Sequence, residues 1–247
     1  MKKISIFTLI TLTYAFNSCK NEAIDPLPTK GLIGYYNLNG NGRDVNKPSN
    51  DGILKNVQAT TDRFGREASA FQFNGYSSFI ELPEDTFVFK EFTYSAWVKY
   101  DEIPFNQSRT QGVFVIINVG NTYGNGDHAL CLANTVNLGW GMWTYANPSG
   151  NGNSIAEGKL PNDTSTWYHV VATRSKNELK IYVNSKLVAS QLHLTGEPAY
   201  NLSNVQARIG SRVDGSLTFK GKIDDVRIYN RVLDATEIGQ LYIETPK

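Results

Sequence analysis

From Gly31 onward, apolar and polar residues alternate with a period of two, and each run ends at Gly, Asn, Asp or Pro. That period marks strands with one buried face. Leu32–Leu38 reads as the first strand, closed by the turn cluster Asn39-Gly40-Asn41-Gly42. Ala70–Phe73 and Ser78–Leu82 flank a hairpin-like break at Asn74-Gly75. Strands are predicted next over Phe92–Tyr100, Phe114–Val119, Ala129–Ala133 and Leu138–Tyr145. Trp167–Arg174, Leu179–Val183 and Lys186–Leu192 read as a meander, and Ala207–Gly210 and Phe219–Tyr229 close the series. The single helical signal comes last. Asp234 stands three residues before Glu237, the spacing of a capping box, and Ile238, Leu241 and Tyr242 form an i, i+3, i+4 stripe. Strands at this spacing with one terminal helix predict an all-β, antiparallel sandwich. No internal repeat or second domain is visible.

The final strand carries the sharpest chemical signal. Strict alternation puts Asp224, Val226 and Ile228 on one face and Ile223, Asp225, Arg227 and Tyr229 on the other. A carboxylate among β-branched apolar residues needs a cation or several donors, because an unpaired buried charge is costly.

The same stretch, Gly221-Lys222-Ile223-Asp224-Asp225-Val226-Arg227-Ile228-Tyr229-Asn230-Arg231 with Leu233, resembles the last strand of LamG-like (concanavalin A-like) jelly-roll domains. The resemblance runs over nearly all of residues 31–243. Gly31-Leu32-Ile33-Gly34-Tyr35-Tyr36 with Asp44 and Gly52 looks like the opening of such domains. Phe71-Gln72-Phe73-Asn74-Gly75 with Ile80, the strand Phe92–Lys99 and the run Trp167–Ala172 follow in family order. Tyr182-Val183-Asn184-Ser185 departs from it, with Ser where the family has Gly. The resemblance implies a concanavalin A-like jelly roll over residues 31–247. It also implies a structural calcium on Asp224, with the Gly75 carbonyl and Asn37 as companions and Asp44 as a second carboxylate. The residues alone leave open a different partner for Asp224: backbone N–H groups or an Arg.

The N-terminus tells where such a domain works. Met1-Lys2-Lys3, an apolar run from Ile4 to Phe16 and Ser18 describe a secretory signal over residues 1–18, too short to span a bilayer. Phe16-Asn17-Ser18-Cys19 resembles a bacterial lipobox, which implies acylation of Cys19 and a lipoprotein of the cell envelope. Plain secretion with a chance Cys is the alternative. Residues 19–30 read as lipidated Cys plus linker, with two prolines and several charges. Lys20-Asn21-Glu22 resembles a surface-export signal, and a solvated linker explains it equally.

Composition narrows the partners. The formal charge is +1, and the two lysines of the leader account for its change to −1 on cleavage. No basic patch stands out, which points away from nucleic acid. Cys131 is the one internal Cys, so the fold must rest on its core. His128, His169 and His193 lack zinc spacing, and His169, inside a strand, reads as structural. No Ser sits in a nucleophile elbow. The fold class also holds glycosidases with E-x-D-x-x-E on one strand, and no such run exists here. Glu81, Glu84 and Asp85 straddle a Pro, and Asp101 and Glu102 are adjacent.

Aromatics supply the remaining candidates. Trp97 alternates onto the face of Thr93, Ser95 and Lys99, and Trp143 and Tyr145 share a face with Gly139 and Gly141. Glycines beside rings leave space that a packed core fills. Trp97, Trp143 and Tyr145 are therefore the candidate lining of a sugar-stacking groove. Three readings stand at this point: a non-catalytic, lipid-anchored glycan-binding domain, a protein-binding adhesion or assembly module, and a divergent glycoside hydrolase or lyase. A groove with exposed aromatics marks the first, a flat or loop-built patch the second, and two facing carboxylates the third.

Overall fold

The computed structural model describes residues 27–102, 113–121, 128–133, 139–145, 153–159, 163–192 and 204–244. Along these the chain runs β1 (Leu32–Tyr36), β2 (Ile53–Lys55), β3 (Gln58–Thr60), β4 (Ala70–Asn74), β5 (Phe79–Leu82), β6 (Phe92–Tyr100), β7 (Val113–Gly120) and β8 (His128–Ala133). It continues through β9 (Gly139–Tyr145), β10 (Asn153–Lys159), β11 (Tyr168–Arg174), β12 (Glu178–Val183), β13 (Lys186–Leu192), β14 (Gln206–Ile209) and β15 (Lys220–Tyr229), and ends in helix α1 (Ala235–Tyr242). One sheet has the order β13-β12-β11-β6-β15-β4-β3, with β1 also paired to β15. The other has the order β10-β9-β8-β7-β14-β5-β2. All pairings are antiparallel. We call them the front sheet (β10 to β2) and the back sheet (β13 to β3).

The core lies between the sheets and follows the period-two pattern. Phe92, Tyr94, Ala96, Val98 and Tyr100 of β6 face Ile117, Val119, Leu130, Leu132 and Ile209 of the front sheet within one buried cluster. Thr93, Ser95, Trp97 and Lys99 occupy the outer face of the back sheet, as alternation requires. β2, β3 and β10 were not visible in the sequence pattern. The first two are three-residue, largely exposed strands on sheet edges, and β10 reads Asn-Ser-Ile-Ala-Glu-Gly-Lys, with little apolar periodicity.

β15 departs from strict alternation. Ile223, Val226 and Ile228 all belong to the core cluster, so Asp224 does not share a face with the last two. The ladder with β6 slips between Asp224 and Arg227, and Asp225 has φ +47. This is a β-bulge. Asp tolerates the left-handed region better than most residues, and the Asp225 N–H donates to Asp224 Oδ1 at 2.8 Å. The bulge falls where β15 changes neighbour, from β4 up to Ile223 to β1 from Val226 on. It turns both carboxylates away from the core.

α1 covers the outer face of the back sheet. Its capping box is complete: Glu237 N donates to Asp234 Oδ1 and Asp234 N to Glu237 Oε2. Ile238 and Leu241 pack with Val171, Tyr182, Tyr229 and Leu233 in a second cluster that Leu27 and Leu32 adjoin. The Tyr229 hydroxyl donates to the Pro28 carbonyl, and Arg231 Nε to that of Lys30, so residues 27–30 lie against the domain.

Candidate functional site

The two outer faces are built differently. On the back sheet, Trp97 is 8% exposed. Its ring stacks on Tyr242 of α1 at 5.7 Å and lies 5.2 Å from the His169 ring. His169 is fully buried with Nε2 2.9 Å from Ser95 Oγ, and desolvation pushes its pKa down to about 3. Above Trp97 stands Arg63, carried in by the loop after β3. Its guanidinium lies 4.5 Å from the Trp97 ring and 4.4 Å from that of Phe64. Arg63 Nη1 reaches Asp224 Oδ2 at 2.8 Å and Asp225 Oδ2 at 2.6 Å. Asp225 Oδ1 accepts from the Tyr35 hydroxyl at 2.9 Å, and Arg227, stacked over Tyr35, pairs with Glu244 at 2.6 Å. Burial and the charge of Asp225 push the Asp224 carboxyl above the usual range, against the pull of Arg63. This face is closed by α1 and by ion pairs. Trp97 belongs to that closure and lies on the sheet opposite Trp143 and Tyr145.

The residues named for calcium do not converge. Calcium takes roughly six to eight oxygen ligands. The Gly75 position (φ +83) follows Asn74, which pairs with Lys220, four residues from Asp224 or about 13 Å along the strand. Asn37 Oδ1 accepts from Asn39 N at 3.4 Å within its own turn. Asp44 organises the loop after β1, with Oδ1 accepting from Asn46 N and Lys47 N; its Oδ2 is buried without a hydrogen-bond partner. Among the described residues, no group of three or more His, Cys, Asp or Glu side chains is arranged to hold a metal. The donors at Asp224 fit a guanidinium, and they do not fit calcium.

One cross-strand register runs the width of the front sheet, and its members Asn118 and Ala129 are fully buried. Ile53 pairs with Glu81, Glu81 with Arg208, Arg208 with Asn118, Asn118 with Ala129, Ala129 with Trp143, and Trp143 with Ile155. The row thus crosses every strand from β2 to β10. The intervening row, with Ile80, Ile209, Ile117 and Leu130, belongs to the core. Asn118 is fixed from both ends: Nδ2 donates to the His128 carbonyl and Oδ1 accepts from Val213 N, each at 2.9 Å. Arg208 lies 4.2 Å over the Phe79 ring and donates from Nη1 to the Arg212 carbonyl, and its buried Nε has no partner. Leu217 packs over Val113, Val115, Ala129 and Cys131 from the loop after β14. Tyr145 pairs with Asn153. The side chains of Trp143 and Tyr145 lie outside the described residues, as do Cys19 and His193. Arg63, Arg208 and Asn118 escaped sequence reasoning, since an Arg in a polar loop and an Arg or Asn within a strand carry no pattern of their own.

Three of the five acidic residues considered for acid–base chemistry, Asp85, Asp101 and Glu102, serve local roles. Asp85 Oδ1 accepts from Val205 N at 2.8 Å, Asp101 Oδ2 from Gln72 Nε2 at 2.7 Å, and Glu102 pairs with Lys220 at 2.8 Å on the surface.

Two facing antiparallel sheets, one sealed outside by a C-terminal helix, define a lectin-like β-sandwich. Residues 74–239 match the family model described as the concanavalin A-like lectin/glucanases superfamily, and the chain belongs to that superfamily. No curated protein sequence matches it. Among solved structures, it resembles domain 4 of AbnA, a GH43 extracellular arabinanase from Geobacillus stearothermophilus, in complex with arabinotriose. The TM-score is 0.65 at 20% identity, over 85% of this chain and 98% of that one. It also resembles the Ruminococcus gnavus IT-sialidase CBM40 bound to α2,3-sialyllactose (TM-score 0.58, 16% identity, 70% of this chain, 96% of that one). A third match is the binding domain of botulinum neurotoxin DC in complex with SialylT (TM-score 0.61, 15% identity, 86% of this chain, 51% of that one). At these identities the likeness establishes the fold.

Proposed function

We propose that the protein is a lipid-anchored, extracellular glycan-binding module whose ligand lies on the front-sheet side, with Arg208 and Trp143 as the residues to test. The observation that carries this reading is the asymmetry of the two faces. α1 and a buried ion network occupy the back, whereas on the front the loop after β14 covers Asn118 and Ala129 and leaves the ring-mounted Arg208 half-buried beside them. Similar folds in complex with glycans, arabinotriose and sialyllactose, support the ligand class. Sugars bind by stacking on aromatic faces while a few fixed polar groups take the hydroxyls. Asp85, Asp101 and Glu102 are held in local pairings, which supports recognition over hydrolysis. The lipobox-like Phe16-Asn17-Ser18-Cys19 supports the anchor.

The test is a glycan array probed with the chain from Lys20 onward, which keeps the docked residues 27–30, followed by calorimetry on the hits. Trp143→Ala is expected to weaken binding more than tenfold, about 1.4 kcal/mol, and to leave the melting temperature nearly unchanged. Strong destabilisation by Trp143→Ala would make the ring a core residue and remove it from the ligand face. Binding to no glycan, with capture by an extracellular protein, would favour the adhesion reading.

A further inference from the structure

We infer that Arg63 is a resident cation, a side-chain substitute for the structural metal that the family resemblance implies at the last strand, and that the native domain is metal-independent. The geometry has three parts. First, one atom, Arg63 Nη1, touches both carboxylates, at 2.8 and 2.6 Å, whereas Arg Nε is buried with no partner. A guanidinium normally offers a two-pronged fork to one carboxylate. Here it acts as a bridging point charge, which is the coordination role of a cation. Second, the position is sealed. The side chains of Arg63, Asp224 and Asp225 are 6%, 2% and 9% exposed, and the guanidinium is held between the Phe64 and Trp97 rings. Third, the charge inventory requires it. Asp224, Asp225 and Glu244 face Arg63 and Arg227, with Asp62 and Arg66 further out, and Arg63 is the one ion-pair partner of Asp224 among the described residues, so its loss leaves that buried carboxylate unpaired. Arg63 also ties distant parts of the chain together. It joins the loop after β3 to the β15 bulge, and through Trp97 to α1 by way of Tyr242.

The test uses the full-length protein in detergent. Elemental analysis is expected to find no stoichiometric calcium, and neither a chelator nor millimolar calcium should move the melting temperature. A metal that bound the native state would raise it. Arg63→Met is expected to lower the melting temperature by about 6–20 °C, since it leaves Asp224 without an ion-pair partner and Asp225 with Arg227 alone at 3.7 Å. Arg63→Lys, which keeps a point charge, should retain part of the difference. Adding Asp225→Asn to Arg63→Met removes the like charge beside Asp224 and should recover stability. A wild-type melting temperature that falls on chelation overturns the proposal, as does stoichiometric bound calcium. So does an Arg63→Met protein that melts with the wild type, or a double variant no more stable than Arg63→Met. None of these measurements involves glycan, so the ligand-face proposal stands or falls separately.

Discussion

At the scale of single residues, the domain shows how burial decides chemistry. His128 and His169 are both buried, and desolvation pushes each pKa down to about 3, with Arg174 acting on the first and Arg227 and Arg63 on the second. Each Nδ1 is buried without a hydrogen-bond partner among the described residues, as suits neutral rings in a core. The native state therefore binds fewer protons than the unfolded chain between pH about 6.5 and about 3. Stability is fully present above that window and falls as the pH drops through it. From pH 7 to pH 5 each ring costs up to about 2 kcal/mol. Asp224, pushed the other way, opposes this in part, so the readout is a difference. Urea unfolding at the two pH values should show a smaller acid loss for His169→Gln than for the wild type. Equal losses would mean that His169 is charged, or charges freely, in the folded protein.

At the scale of elements, most of the sandwich was legible, and its omissions have physical reasons. β6, β11 and β15 announce themselves because one face is fully apolar and register errors there are prohibitive. The capping box and stripe of α1 were legible because both arise from local spacing. β2, β3 and β10 were not, since short edge strands gain little from burial. The alternation of β15 failed at one place. A bulge adds a residue to one strand only, and nothing but an Asp pair marked it. The departure at Ser185 has a structural counterpart. Asn184 and Ser185, the two residues between β12 and β13, have φ +49 and +64, the signs of a type I′ turn. Asn184 secures the turn, because its Oδ1 accepts from His169 N at 3.0 Å and its own N–H donates to the His169 carbonyl. Ser185 has no such compensation for its left-handed backbone. Ser185→Gly is expected to stabilise the domain by about 1 kcal/mol, read as a higher urea midpoint at unchanged slope. A lower midpoint would show that the Ser185 side chain contributes more than its backbone costs.

At the scale of the molecule, the site was only partly legible. Trp97 was placed on the right sheet face from alternation, but sequence could not show that α1 and Arg63 would cover it. Trp143 could be placed on a strand, and only the register of four strands, β14, β7, β8 and β9, put its position in line with Arg208 and Asn118. The same geometry bears on anchoring. Residues 27–30 are docked by Pro28 and Lys30 on the back-sheet side, where α1 lies. An anchor at Cys19 therefore leaves only residues 20–26 between membrane and docked chain, at most about 25 Å when extended. A tether of that length, leaving from the back side, permits the front sheet to face away from the bilayer. One acyl chain holds a protein to membrane only marginally, so stable retention requires more than one at Cys19. In a Gram-negative host, the wild type is expected to enter the detergent phase on phase separation and Cys19→Ala to remain aqueous. Whole cells carrying the wild type should also adsorb to immobilised glycan hits, and those carrying Trp143→Ala should not. Equal aqueous partitioning of wild type and Cys19→Ala would rule out the anchor and leave a secreted domain, with the front sheet still its binding face.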